Sequence, residues 1–288
     1  MIAADDAQAA TFGYRGARFV KTSAGCAITF QCMFFTILMS RSAAVAQGVD
    51  SSTADAAAET WSLEPGFIAL SDGVSFEGWK QTGNWVIEQG AFYRAKNGGS
   101  LTFSRAEVPD DFELRFQWKV SQGCNSGVYY RPGQVEYQVL DNVGSPYGEN
   151  PRQAAASLFF CMAPSKDATR PVGHWNTARV VCQGTVIQHW LNGEKVIDFD
   201  YTDPKWADEV ELLRLRGGDL TGRGGQLWLQ DHGQPIWFRH LRWREIPKDI
   251  ALRPDPEFRP LPVPPAALVK EQARVRQMLE KHLPAANP

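Results

Sequence analysis

The sequence predicts an all-β protein, a two-sheet antiparallel sandwich, on three observations. Short runs of alternating apolar and polar residues recur from about Trp61 to Ile246, Gly, Asn or Asp separates them, and no stretch in that span carries a convincing helical period. Ten Trp and 25 Gly beside five Met also lean toward strands and turns. No blade-length repeat is visible, which favours a sandwich over a propeller. The 288 residues are 43% hydrophobic and 22% charged, enough to bury a core and unlike a disordered chain.

The chain opens with Arg15, Arg18 and Lys21, an apolar run from Cys26 to Met39 and then Ala44-Val45-Ala46. That order predicts a signal peptide over residues 1–46, cleaved after Ala46, and a secreted or periplasmic protein. An uncleaved anchor is the competing reading, although the run is short for a membrane span. Residues 47–60 are small and polar, a flexible linker. The sandwich is expected over 61–247. Its clearest strand is Asp111 to Val120, where Phe112, Leu114, Phe116, Trp118 and Val120 share one face and Glu113, Arg115, Gln117 and Lys119 the other. Val180 to Phe199 reads as strands joined by hairpins at Gln183-Gly184 and Asn192-Gly193. Trp85 to Ala95 turns at Gln89-Gly90, and Gln226 to Ile246 turns between His232 and Pro235. Residues 248–288 form a Pro-rich strap and one short amphipathic helix, Ala266 to Leu283, with Leu268, Val275, Met278, Leu279 and Leu283 tending to one face. Beyond the leader the cysteines are Cys124, Cys161 and Cys182, so at most one disulfide forms and buried thiols are the simpler expectation.

With 30 basic and 32 acidic residues and no basic run, the chain lacks the charge footprint of a nucleic-acid binder. No Gly-rich phosphate loop, nucleophile elbow or dinucleotide fingerprint is present, so no nucleotide cofactor is expected. Chemistry concentrates in two segments. In Gly123 to Asp141, period 2 puts Val135, Tyr137 and Val139 on the core face and Glu136 beside Gln138 on the other, a polar pair aimed at a ligand. Arg131 precedes the Pro132-Gly133 turn and is expected near Glu136; a structural cross-strand ion pair is the alternative. In Leu227 to Arg239, Trp228, Gln230 and His232 fall on one strand face, offering an aromatic platform, an amide and an imidazole for proton transfer. Glu136, Asp141, His174 and His232 would be the ligands if a metal were held, but no spacing supports a metal site.

Six motifs occur in order over about residues 65 to 246: GFIALSDGVSFEGWK, CNSGVYYR, EYQVLD, HWNTARVVCQG, WLNGEKV and LQDHGQPIWFRHLRW. Together they resemble the 3-keto-disaccharide hydrolase domain family. The resemblance implies a concanavalin A-like jelly roll, a carbohydrate substrate and cleavage of glycosides already oxidised at C3. Carried over by position, it marks Asn125, Ser126, Arg131, Glu136, Gln138, Asp141, Gln230, His232 and Arg239. The chemistry then makes His232 or Glu136 the base, with Asp141 beside them, and Asn125, Ser126, Arg131, Gln138, Gln230 and Arg239 substrate contacts next to the Trp228 platform. A 3-keto group acidifies the C2 proton, so a base near neutral pKa can form an enolate and expel the C1 substituent, with Asp141 orienting the histidine or donating the proton. A divalent cation polarising the ketone would assist. Two other functions stay open. Glu136-x-Gln138-x-x-Asp141 has the spacing of a laminarinase-like glucanase motif, but an amide replaces its middle carboxylate. The same face would also serve a lectin-like module that only binds sugar.

Overall fold

The computed structural model describes residues 62–249 and 251–282. The leader and linker read over 1–60, and Leu283 of the terminal helix, lie outside them. Thirteen described strands form two antiparallel sheets. One sheet contains β1 (Ile68–Ala69), β3 (Trp85–Glu88), β4 (Ala91–Arg94), β6 (Phe112–Val120), β9 (Asn176–Gln183), β10 (Val186–Leu191), β11 (Glu194–Asp200) and β13 (Ile236–Glu245). The other is ordered β2 (Trp79–Lys80), β5 (Leu101–Phe103), β12 (Trp228–Leu229), β7 (Asn125–Arg131) and β8 (Val135–Leu140). The chain is therefore the two-sheet antiparallel sandwich that the alternating pattern predicts. Strands β9, β10 and β11 join at the expected hairpins, where Asn192 (φ 51°) and Gly193 (φ 87°) both take the left-handed conformation of a two-residue turn.

The core lies between the sheets and is largely aromatic. Phe116 of β6 meets Tyr137 of β8 edge-on at 5.3 Å, and Phe112 meets Tyr130 of β7 at 6.0 Å. His189 is sealed in the same layer and bonds the Tyr130 hydroxyl (2.8 Å) and the Ala156 carbonyl (2.9 Å). Burial lowers its pKa to about 4, so it packs as a neutral imidazole. Cys124, Cys161 and Cys182 are free, buried thiols.

Two features depart from the sequence reading. A helix, α1 (Ala207–Leu215), interrupts the all-strand span, and only Leu213 of it is buried. So short a helix with so little buried face leaves no usable 3.6-residue period. The terminal helix, α2 (Pro265–His282), forms as expected, and Val275 and Met278 of its expected face are half-buried, but its buried residues lie elsewhere. Leu268 and Leu279 are exposed, whereas Ala267 and Glu271 are buried, because α2 docks by polar contacts as well as apolar ones.

The chain changes sheets repeatedly, and this assembles the site. Strand β12 inserts between β5 and β7, so Trp228 lies opposite Tyr129 although about a hundred residues separate them in the chain. The free edge of β8 is covered by the 156–159 segment, whose Ala156 and Phe159 amides donate to the Gln138 (2.8 Å) and Glu136 (3.1 Å) carbonyls. Covering the edge satisfies its backbone groups.

Candidate active site

Outward-facing side chains of β7, β8 and the β12 segment form the site. Parity on β8 places Glu136 and Gln138 away from the core, as read from the sequence, but both are buried rather than exposed. Gly127 makes room for this. A Cβ there would fall 2.1 Å from Glu136 Oε1 and 2.7 Å from its Cδ, so the carboxylate can fold across β7 only over a glycine.

The carboxylate's partner is Arg216, which follows α1. Its Nη2 lies 2.6 Å from Glu136 Oε2 and 2.9 Å from the Tyr129 hydroxyl, and its Nη1 donates to the Gln134 carbonyl at 2.7 Å. The guanidinium also packs on the Phe159 ring, 4.4 Å from its centroid. Gly133 permits this approach, because a Cβ there would meet the Gly217 carbonyl at 2.7 Å. The Tyr129 hydroxyl also bonds Glu136 and accepts from Gln230 Nε2 at 3.3 Å. Burial is the largest influence on Glu136 and raises its pKa above the ordinary carboxylate value. Arg216 and the Tyr129 hydroxyl offset part of that.

Around this pair lie a platform and two amides. Trp228, half-buried, stacks on Tyr129 with centroids 3.5 Å apart and planes 9° apart. Gln138 donates from Nε2 to Asn125 Oδ1 and to the Gln153 carbonyl, both at 3.2 Å. Its Oε1 and that of Gln230 are buried without a partner. Such acceptors cost about 1–3 kcal/mol each while unmade. His232 stands exposed at the rim, its ring 6.4 Å from Tyr147. β12 ends at Leu229, so Gln230 and His232 both lie beyond the strand. The Asp231 carboxylate accepts from Arg94 Nε at 2.5 Å, and from Asn84 Nδ2 and the Gly98 amide at 2.9 Å each, which fixes the turn bearing His232.

Four sequence-marked residues lie apart from this cluster. Arg131 is not beside Glu136: it donates to the Gly222 and Asp110 carbonyls and packs 5.7 Å from the Phe112 ring, because the β7 register shifts between Tyr129 and Arg131. Arg239 belongs to β13 in the opposite sheet, bonded to Gln117 Oε1 at 2.7 Å and packed 4.0 Å from Trp175. Ser126 is sealed from solvent and donates to the Gln230 carbonyl at 2.8 Å, holding β7 to the neighbouring segment. Asp141 does not orient His232. Its oxygens accept from the Gly123, Val143 and Gly144 amides at 2.8–3.1 Å and hold the turn after β8. Among the described residues no three His, Cys, Asp or Glu side chains gather to hold a metal. With Glu136 on an arginine and Asp141 on backbone amides, the expected ligands do not fit a divalent cation.

Residues 66–244 match the family model described as a 3-keto-alpha-glucoside-1,2-lyase-like domain. The chain belongs to this family. It is 31% identical over 229 residues to a Bacteroides thetaiotaomicron protein named 3-keto-disaccharide hydrolase, covering 62% of this chain and 77% of that one. Two crystal structures of Parabacteroides distasonis proteins, described as candidate glycosyl hydrolases, share its fold. One is 25% identical with a TM-score of 0.54 and covers 62% of this chain and 99% of its own; the other is 23% identical with a TM-score of 0.54 and covers 63% and 94%.

Sequence reasoning missed Arg216, Tyr129, Gln153 and Phe159. For Tyr129 a signal existed, since it shares strand parity with Asn125 and Gly127 and pairs with Glu136 across the hairpin. Arg216 and Phe159 lie in irregular segments with no period to read.

Proposed function

We propose that the protein cleaves 3-keto-glycosides by removing the C2 proton and eliminating the C1 substituent, with Glu136 as the base. The observation that carries this reading is the buried Glu136 carboxyl, held by Arg216 and Tyr129 beside an aromatic platform and two unsatisfied amide oxygens. A carboxylate in water is too weak a base for a proton on carbon. One whose pKa is raised by burial accepts that proton more readily, and the 3-keto group makes the proton acidic enough to leave.

In this reading the sugar lies against Trp228, beside the Gln230 side chain. Glu136 takes the C2 proton and the electron pair forms the enolate. The enolate collapses to a C1–C2 double bond as the C1–oxygen bond breaks. His232, at the rim, protonates the departing oxygen. Water then adds to C1, giving its proton to His232, while the proton on Glu136 returns to C2. Arg216 keeps positive charge where the carboxylate and enolate share negative charge. A retaining glucanase would need a second free carboxylate, and Asp141, the candidate, is occupied by three backbone amides.

The test is release of aglycone from matched 3-keto and unoxidised glucosides, with exchange of the C2 proton followed in deuterated water. Cleavage of the keto-sugar alone, with C2 exchange, is the expected result. Preference for the unoxidised sugar would indicate a glucanase, and binding without turnover a lectin. Export belongs to the same proposal: N-terminal sequencing of the protein from a producing cell should begin at Gln47.

A further inference from the structure

The family's shared segment ends at residue 244, and α2 lies wholly beyond it. Yet α2 is bonded to the segment that covers the candidate site. Glu271, only 3% exposed, accepts from Asn150 Nδ2 at 2.7 Å and from Arg152 Nη1 at 2.8 Å, while Arg152 Nη2 reaches Glu209 of α1 at 3.0 Å. Arg274, one turn further along α2, packs 4.8 Å from the Phe160 ring and 5.9 Å from Phe159. The covering segment is held in a shape it would not choose alone, with Ala156 (φ 63°) and Phe160 (φ 61°) in the left-handed region that side chains disfavour. The Arg152 carbonyl accepts from the Phe160 amide at 2.7 Å and so ties the clamped arginine to the strained turn. The same segment touches the site twice: the Gln153 carbonyl holds Gln138, and the Phe159 ring supports Arg216.

We propose that α2 is a working part of the site, and that Glu271 is a positioning residue that sets Gln138 and Arg216, and through Arg216 the Glu136 carboxylate, by clamping residues 150–160. The proposal rests on the reading of Glu136 as the base only for its kinetic consequence; the positional claim stands apart from it. The physical reason is cost. A buried carboxylate is tolerated only with matched donors, so Glu271 accepts just one placement of Asn150 and Arg152. That placement leaves Phe159 against the Arg216 guanidinium.

The experiment uses the full chain and the variants Glu271→Ala and Glu271→Gln. Two readouts separate this proposal from the proposed function. The 13C carboxyl resonance of Glu136, identified by its loss in Glu136→Gln, reports the Arg216 pairing without any turnover. Glu271→Ala should shift or broaden it and speed amide exchange at Ala156 and Phe159, with β6 and β9 unchanged. Glu271→Gln, which keeps an oxygen for one of the two donors, should fall between. With a 3-keto-glucoside, Glu271→Ala should lower kcat about tenfold while KM changes less than threefold, as expected when positioning rather than ground-state binding is lost. An unmoved Glu136 resonance in a folded Glu271→Ala or Glu271→Gln protein overturns the proposal. A moved resonance in a protein whose wild type turns over no keto-sugar upholds the clamp and rejects the reading of the base.

Discussion

Glu113 and Glu136 stand on the outer faces of the two opposite sheets and are 1% and 2% exposed, but their surroundings treat them in opposite ways. Burial opposes ionisation of both. At Glu113, hydrogen bonds from Arg115 and Arg244 and the charge of Arg179 outweigh it and hold the carboxyl below its ordinary pKa. At Glu136, Arg216 is the direct ionic partner and burial prevails, so the pKa rises. A cavity of about 330 Å³ lies on the Glu113 face, lined by Arg115, Arg179 and Trp190 among others. The arginines there are already committed to carboxylates, so what it offers is a neutralised network. A buried carboxylate marks a reactive site where its charge is under-compensated, and a structural one where several guanidiniums share it.

The strongest way to break this comparison is to neutralise each carboxylate in turn. Glu136→Gln should lower kcat/KM for a 3-keto-glucoside by roughly 100-fold or more, the loss expected for a general base. Glu113→Gln should leave the kinetics of the folded protein unchanged and instead cost about 2–3 kcal/mol in denaturant unfolding. That figure is reduced from a fully buried pair because the arginines are about a third exposed. Equal loss of activity in both variants would erase the distinction.

The pH dependence sharpens it, because the two groups have opposite signs. The folded pKa of Glu136 is raised, so the native state holds its proton more tightly than the unfolded chain. Its contribution is fully present below the unfolded carboxylate pKa and is lost as pH rises through the folded one. Glu113 is lowered, so its contribution is present above the unfolded pKa and is lost as pH falls through the folded one. Unfolding free energies measured against pH should therefore lose an alkaline-side decline in Glu136→Gln and an acid-side decline in Glu113→Gln.

Smaller effects probe how the site is built. Gly127→Ala should lower kcat/KM about tenfold, because the new methyl occupies the place of the Glu136 carboxylate. The Glu136→Gln, Gly127→Ala double variant should lose little beyond the first change, since both act on one group. Trp228→Ala should raise KM about three- to tenfold with kcat nearly unchanged, as for a platform that holds ground and transition states alike.

Much of this molecule was legible because strand parity is a local rule. Period 2 placed Phe112 to Val120, Val135 to Leu140 and the β9 to β11 hairpins, and with them the orientation of Glu136 and Gln138. Residue order alone could not say what lies above that face. Parity gives the direction of a side chain but not its partner, so Arg131, near in sequence, was the expected partner and Arg216, brought in by the loop after α1, is the real one. Asp141 and Ser126 carry polar groups that suit catalysis, but local backbone geometry engages them in a turn and a strand contact. Burial, charge compensation and the hold of α2 on residues 150–160 depend on segments distant in the chain meeting in space. The tertiary structure therefore decided which carboxylate several guanidiniums share and which has a single ionic partner and a raised pKa.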